Sequence, residues 1–173
     1  EDDLKTLLPY HNKWMRATGA RQSGRIERGM ALLREIIAER PDFDLAHTYL
    51  ANYLKEVGRK EEALEVLGRA LGRNPSSVRI IAAHGVALLE AGRFDEAAAA
   101  FERGLALVDF DPELWNYLGV SHWNRGRFRE AETCYARALA LDGNYAVVHN
   151  NRGSLYLSEH LASKLPAALG RAE

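Results

Sequence analysis

The sequence predicts an all-α protein built from repeated pairs of helices. Three observations carry that reading. Residues recur in columns 34 positions apart: Gly58, Gly92 and Gly126, Ala63, Ala97 and Ala131, then Leu67, Phe101 and Tyr135. Within each half-unit the apolar residues follow helical spacing. A Gly-Arg pair (Gly58-Arg59, Gly92-Arg93, Gly126-Arg127) falls between the two halves, where a helix ends on a residue with positive φ.

The frame divides the chain in order. Residues 1–9 are an N-terminal lead, and 10–43 are a divergent capping unit in which Gly24-Arg25, Leu33 and Pro41 keep the second half recognisable. Its first half, Tyr10 to Ser23, carries Lys13, Arg16, Gly19 and Arg21 and is too polar for an internal helix. Full units follow at 44–77, 78–111 and 112–145. In the last of them Leu114, Trp115, Leu118 and His122 draw the first helical stripe, and Phe128, Ala131, Tyr135, Ala138 and Leu139 the second. Small residues mark the expected helix crossings, with Ala51, Gly85 and Gly119 in the first helix and the alanine column in the second. A missing side chain lets two axes approach toward the short end of about 8–10 Å. Ser76 or Ser77, and the Asp42-x-Asp44 and Asp109-x-Asp111 pairs, stand at the junctions as helix caps, Pro112 being a first helical residue. Residues 146–173 are a partial C-terminal unit: Asn150, Asn151 and Arg152 part-solvate its helix. Leu161, Leu165 and Leu169 then suggest a short capping helix that Pro166 kinks or restarts.

Composition narrows the class. In 173 residues, 23 basic side chains face 24 acidic ones, a net charge of −1, so no global field recruits nucleic acid or an anionic membrane. No apolar run reaches the roughly 18–20 residues that span a bilayer. The one cysteine, Cys134, excludes an intramolecular disulfide framework and reads as a structural thiol. The chain opens at Glu1 without an initiator Met, as a fragment or processed chain would. Charge is uneven: unit 10–43 holds seven basic and four acidic residues (7 − 4 = +3), and unit 78–111 three and six (3 − 6 = −3). The basic end is expected to be a solvated cap, with an acidic partner as the other reading.

No catalytic constellation emerges. His47, His84, His122 and His149 fall in first helices at packing positions, without the ligand spacing of a metal site. Phosphate-loop and nucleophile-elbow patterns are absent as well. The chain is therefore expected to be no enzyme, with no cofactor and no metal.

Trp115-x2-Leu118-Gly119-x2-His122 followed by Ala131-x3-Tyr135 and Ala138 resembles the tetratricopeptide repeat (TPR), as do Ile81-x2-His84-Gly85-x2-Leu88 with Ala97-x3-Phe101, and Leu50-Ala51, Leu54, Ala63, Leu67, Ala70 and Pro75. Asp109 and Gly143 replace the closing proline. The resemblance implies a TPR-type alpha-alpha superhelix, a right-handed solenoid of antiparallel helix pairs with a concave groove lined by first helices. It also implies a non-catalytic protein-interaction scaffold that binds an extended peptide or a partner helix.

In that frame the groove presents Thr48, Tyr49, Asn52 and Lys55, then Arg79, Ala82, Ala83, Val86 and Leu89. Glu113, Asn116, Tyr117, Val120, Trp123 and Asn124 come next, and Val147, Asn150, Asn151, Ser154 and Leu157 last. The candidate contacts are Tyr49, Asn52, Arg79, Val86, Asn116, Tyr117, Val120, Trp123, Asn150 and Asn151. Amides donate and accept at once, which suits a peptide backbone, and aromatics bury large area at small entropy cost. The alternative for Tyr49 and Tyr117 is packing between helices. The carboxylate clamp of TPR co-chaperones falls on Thr48, Asn52, Ala83, Glu113 and Tyr117, of which only Asn52 matches.

Two other functions stay open. Leu8-Pro9-Tyr10-His11-Asn12, running into Gly24-Arg25 and Pro41, resembles the segment joining bacterial sulfatase-like hydrolases to their C-terminal TPR tails, which implies an appended domain of a larger enzyme. Exposed terminal helices could also stack end to end into a homo-oligomer. The default compartment is cytoplasmic, and periplasmic if the chain is part of an exported enzyme.

Overall fold

The computed structural model describes residues 2–169, with side chains described for 10–158 and for His160. Nine helices lie among them: α1 (Asp2–Gln22), α2 (Ile26–Glu39), α3 (Asp44–Glu56), α4 (Lys60–Arg73), α5 (Val78–Glu90), α6 (Phe94–Leu107), α7 (Pro112–Asn124), α8 (Phe128–Leu141) and α9 (Ala146–Leu169). The chain divides into two compact units, Glu1–Ala87 and Leu88–Glu173, with the division inside α5.

Each helix pair is hinged the same way. Gly24, Gly58, Gly92 and Gly126 have φ of 70°, 82°, 74° and 71°, and no other residue described has positive φ. The arginine after each glycine donates its backbone N–H to the carbonyl five residues before it, as in Arg59 N to Leu54 O at 2.8 Å and Arg127 N to His122 O at 2.9 Å. This is the double-bonded helix end that a left-handed glycine permits. The Gly-Arg column is thus a turn column.

In the first unit α1 packs on α2, α2 on α3 and α3 on α4. Its core gathers Leu33, Ile36, Leu50, Leu54 and Leu67 around the small Ala51 and Ala63. In the second unit α6 packs on α7, α7 on α8 and α9, and α8 on α9. There Ala131, Tyr135, Ala138, Val148 and Leu155 are buried together, with Trp115, Val120 and Trp123 against them. The alanine column expected at helix crossings, Ala63, Ala97 and Ala131, is fully buried, and so is the column of Leu67, Phe101 and Tyr135, each residue being 0% exposed.

The divergent first unit is tied down by aromatics. Trp14 meets Phe43 and Tyr49 edge-on, and Tyr53 donates its hydroxyl to the Ala17 carbonyl at 3.1 Å. Helix α1 begins at Asp2, so the segment read as a lead joins the first helix. At the other end α9 runs on to Leu169, continuing where a separate capping helix was expected; the side chains of Leu161, Leu165 and Leu169 lie outside the described residues.

The junctions use their polar residues in two ways. Asp111 caps α7, accepting from Glu113 N at 2.9 Å and Leu114 N at 3.2 Å, and Ser77 accepts from Ile80 N at 3.3 Å. Asp44 departs from the expected capping role. It is the first residue of α3, whose cap position is Phe43, and its carboxylate accepts from Ser77 and Asn74 instead. A carboxylate at the first helical residue still suits the helix dipole, while its oxygen holds the next junction.

Candidate protein-interaction surface

Two of the four first-helix histidines brace the fold through a ring nitrogen. His47 Nε2 lies 2.9 Å from the Pro41 carbonyl, and His149 Nε2 lies 3.0 Å from that of Gly143. A carbonyl only accepts, so each of these nitrogens carries a proton. Trp115, in the same column, donates Nε1 to the Asp109 carbonyl at 2.8 Å. All three bonds reach back six residues and brace the turn between units, two of them at Asp109 and Gly143, where the closing proline is missing. Among the described residues no group of three His, Cys, Asp or Glu side chains is placed to hold a metal ion.

In the second unit the first-helix faces of α7 and α9 lie side by side. Asn151 donates Nδ2 to Asn116 Oδ1 at 2.8 Å, and Trp123 donates Nε1 to Ser158 Oγ at 3.3 Å. Asn116 is 3% exposed, so its amide serves the contact between helices. Asn124 donates to the Val120 carbonyl of its own helix at 2.8 Å. Tyr117 stacks on Phe101 with centroids 5.4 Å apart and donates to Glu113 Oε1 at 3.0 Å. Burial, with the Glu113 carboxylate beside it, pushes the Tyr117 hydroxyl well above the usual phenol range. Exposed on this surface are Asn150 and, on either side of it along α9, Val147 and Leu157, which are 50% and 66% exposed, while Val120 and Trp123 on α7 are half-buried.

In the first unit Tyr49 is exposed along one edge and packs on Trp14 and Tyr53, with ring centroids 4.6 Å and 6.5 Å away. Asn52 is exposed on α3 and Arg79 on α5, while Val86 is half-buried. Thr48 is buried and donates to the Leu45 carbonyl of its own helix at 3.0 Å.

The structure therefore brings Asn116, Tyr117, Val120, Trp123, Asn150 and Asn151 onto one pair of helices and gives Asn116 and Asn151 to each other. Sequence reasoning missed two members of these faces. Ser158, which holds Trp123, stands 34 residues after Asn124, and Trp14 shares the column of Asn116 and Asn150. The repeat frame itself could have found both.

The tetratricopeptide repeat family matches residues 15–78, 48–112, 82–146 and 116–169. The chain belongs to that family, whose fold is that of a protein-interaction scaffold without catalytic machinery. It is similar to solved structures of MamA. One from AMB-1 is 27% identical with a TM-score of 0.62, covering 76% of this chain and 72% of that one. One from MSR-1 is 27% identical with a TM-score of 0.63, covering 76% and 75%. A third, an RS-1 double mutant, is 15% identical, with a TM-score of 0.73 over 94% and 96%, and shows the fold alone. No curated protein matches the chain in sequence.

Proposed function

We propose that this protein holds an extended peptide or a partner helix against its first-helix faces, with the α7–α9 face of the second unit as the principal contact. The observation that supports this best is the exposure of Val147 and Leu157 on either side of Asn150 on α9, the helix to which Trp123 of α7 is bonded through Ser158. Apolar side chains flanking an open amide offer a partner both buried area and a backbone hydrogen bond. Asn116 and Asn151 act as the scaffold of that face, because Asn151 donates its amide to the Asn116 side-chain oxygen across the two helices. Tyr49, Asn52, Arg79 and Val86 are the contacts proposed for the first unit.

The test is an affinity pull-down from the native source with wild type and with Asn150→Ala/Leu157→Ser. The reading expects a specific partner that the double variant loses while its far-ultraviolet circular dichroism is unchanged. Recovery of nothing specific, or retention of the partner by the variant, overturns it.

A further inference from the structure

Three arginines gather at the turn between α1 and α2. Arg16, Arg25 and Arg28 line a depression of about 280 Å³ whose other walls are Gly19, Ala20 and Ser23. All three are exposed, and none has an ion-pair partner among the described residues. Their neighbours are matched: Lys13 pairs with Glu35 and Glu39, Arg21 with Glu56, and Arg34 with Glu62.

The repeat supplies its own control. At the same turn in the next two units the column arginine is neutralised three residues on, Arg59 by Glu62 and Arg93 by Glu96. That glutamate column reads Glu62, Glu96 and Glu130, and in the first unit it holds Arg28. Arg16 in turn stands in the column of Leu50 and Leu118, which are buried. Solvation of a terminal helix accounts for a polar residue at position 16. It does not account for reversing a charge that pairs with the neighbouring arginine elsewhere, which brings three like charges onto one small concavity and costs repulsion. The fork geometry of guanidinium matches tetrahedral oxyanions, and the floor of Gly19, Ala20 and Ser23 leaves room for one to approach. A single carboxylate would leave two of the three charges uncompensated, whereas a dianion compensates two.

We propose that Arg16, Arg25 and Arg28 form a binding site for a phosphomonoester, carried by a partner protein's side chain or by a small molecule. The site lies wholly in the first unit and does not rest on the α7–α9 reading. It is tested by amide chemical-shift titrations of the whole chain at fixed ionic strength. The probes are inorganic phosphate, a short phosphoserine peptide, and the same peptide with serine or glutamate in place of phosphoserine.

The proposal expects saturable shifts over residues 19–28 with both phosphate-bearing probes and at least about tenfold weaker binding of the serine and glutamate peptides, the scale of a lost charge-assisted hydrogen bond. Arg28→Glu restores the residue of the other units, so it should fold as wild type does and lose binding at least about tenfold. Arg16→Gln should weaken it without reversing charge. A phosphopeptide at least about tenfold tighter than inorganic phosphate identifies a protein-borne group, and equal affinities identify a free one. Shifts that do not saturate, a glutamate peptide that binds equally well, or Arg28→Glu binding as wild type does each overturn the site.

Discussion

Gly119 on α7 sits against the ring of Tyr135 on α8. A Cβ placed at Gly119 would lie 2.5 Å from Tyr135 Cε1 and 2.8 Å from Cδ1. Tyr135 is itself 0% exposed, so the ring has no space into which to retreat. The aromatic knob of this unit thus occupies the volume that a glycine leaves open. In the first full unit the same two columns hold Ala51 and Leu67, a larger residue facing a smaller one.

Gly119→Ala is therefore expected to destabilise the protein by about 1–3 kcal/mol through overpacking, despite alanine's better helix propensity. Urea denaturation measures it. Adding Tyr135→Leu, which recreates the Ala51/Leu67 combination, should make the double variant more stable than the two single losses summed.

Gly153 occupies the same column in α9 and behaves differently. Nothing lies within 4 Å of a Cβ built there, and the residue is exposed. Gly153→Ala should be neutral or stabilising by up to about 1 kcal/mol, since only backbone entropy and helix propensity change. The opposite signs of the two substitutions, read on the same denaturation curves, test the packing at Gly119 directly.

His122 is 8% exposed and its Nδ1 has no hydrogen-bond partner. Burial, and then the Arg125 guanidinium, hold its pKa below the ordinary histidine value. The unfolded chain therefore binds the proton more readily than the folded one. Stability is complete above the unfolded pKa of about 6.5, falls as pH drops through it, and levels off below the folded pKa. Denaturation midpoints measured from pH 7.5 to 5.5 should show that slope. His122→Leu, the residue of Leu54 and Leu88 in the same column, should flatten it.

Cys134 is 5% exposed, and burial, with Glu102 and Glu130 contributing, pushes its thiol up to about 11. The thiolate is the reactive form, so native protein at pH 8 should react with a disulfide reagent at least about 100-fold more slowly than the urea-unfolded chain. A native thiol that reacts as fast as the unfolded one would contradict the packing of α8.

The period, the helix pairs, the glycine hinges and the buried columns were legible in the sequence. Each depends on residues that repeat and on the short-range geometry of a helix. A column that is small or apolar in every unit, such as Ala63, Ala97 and Ala131, has one place to go, because neither water nor a neighbouring side chain competes for it. The first-helix surface was less legible. The frame placed Asn116, Trp123 and Asn151 on it, yet could not say that Asn116 and Asn151 would spend their amides on each other, across 35 residues, or that Trp123 would bond Ser158. Asp44 likewise gives its carboxylate to Ser77 and Asn74. A polar side chain has several possible partners, and only the distances set by packed helices choose among them. The sequence by itself determined the scaffold and its repeat. Tertiary structure decided which polar groups are consumed in building it and which, like Asn150 and the arginines at the first turn, are left facing solvent.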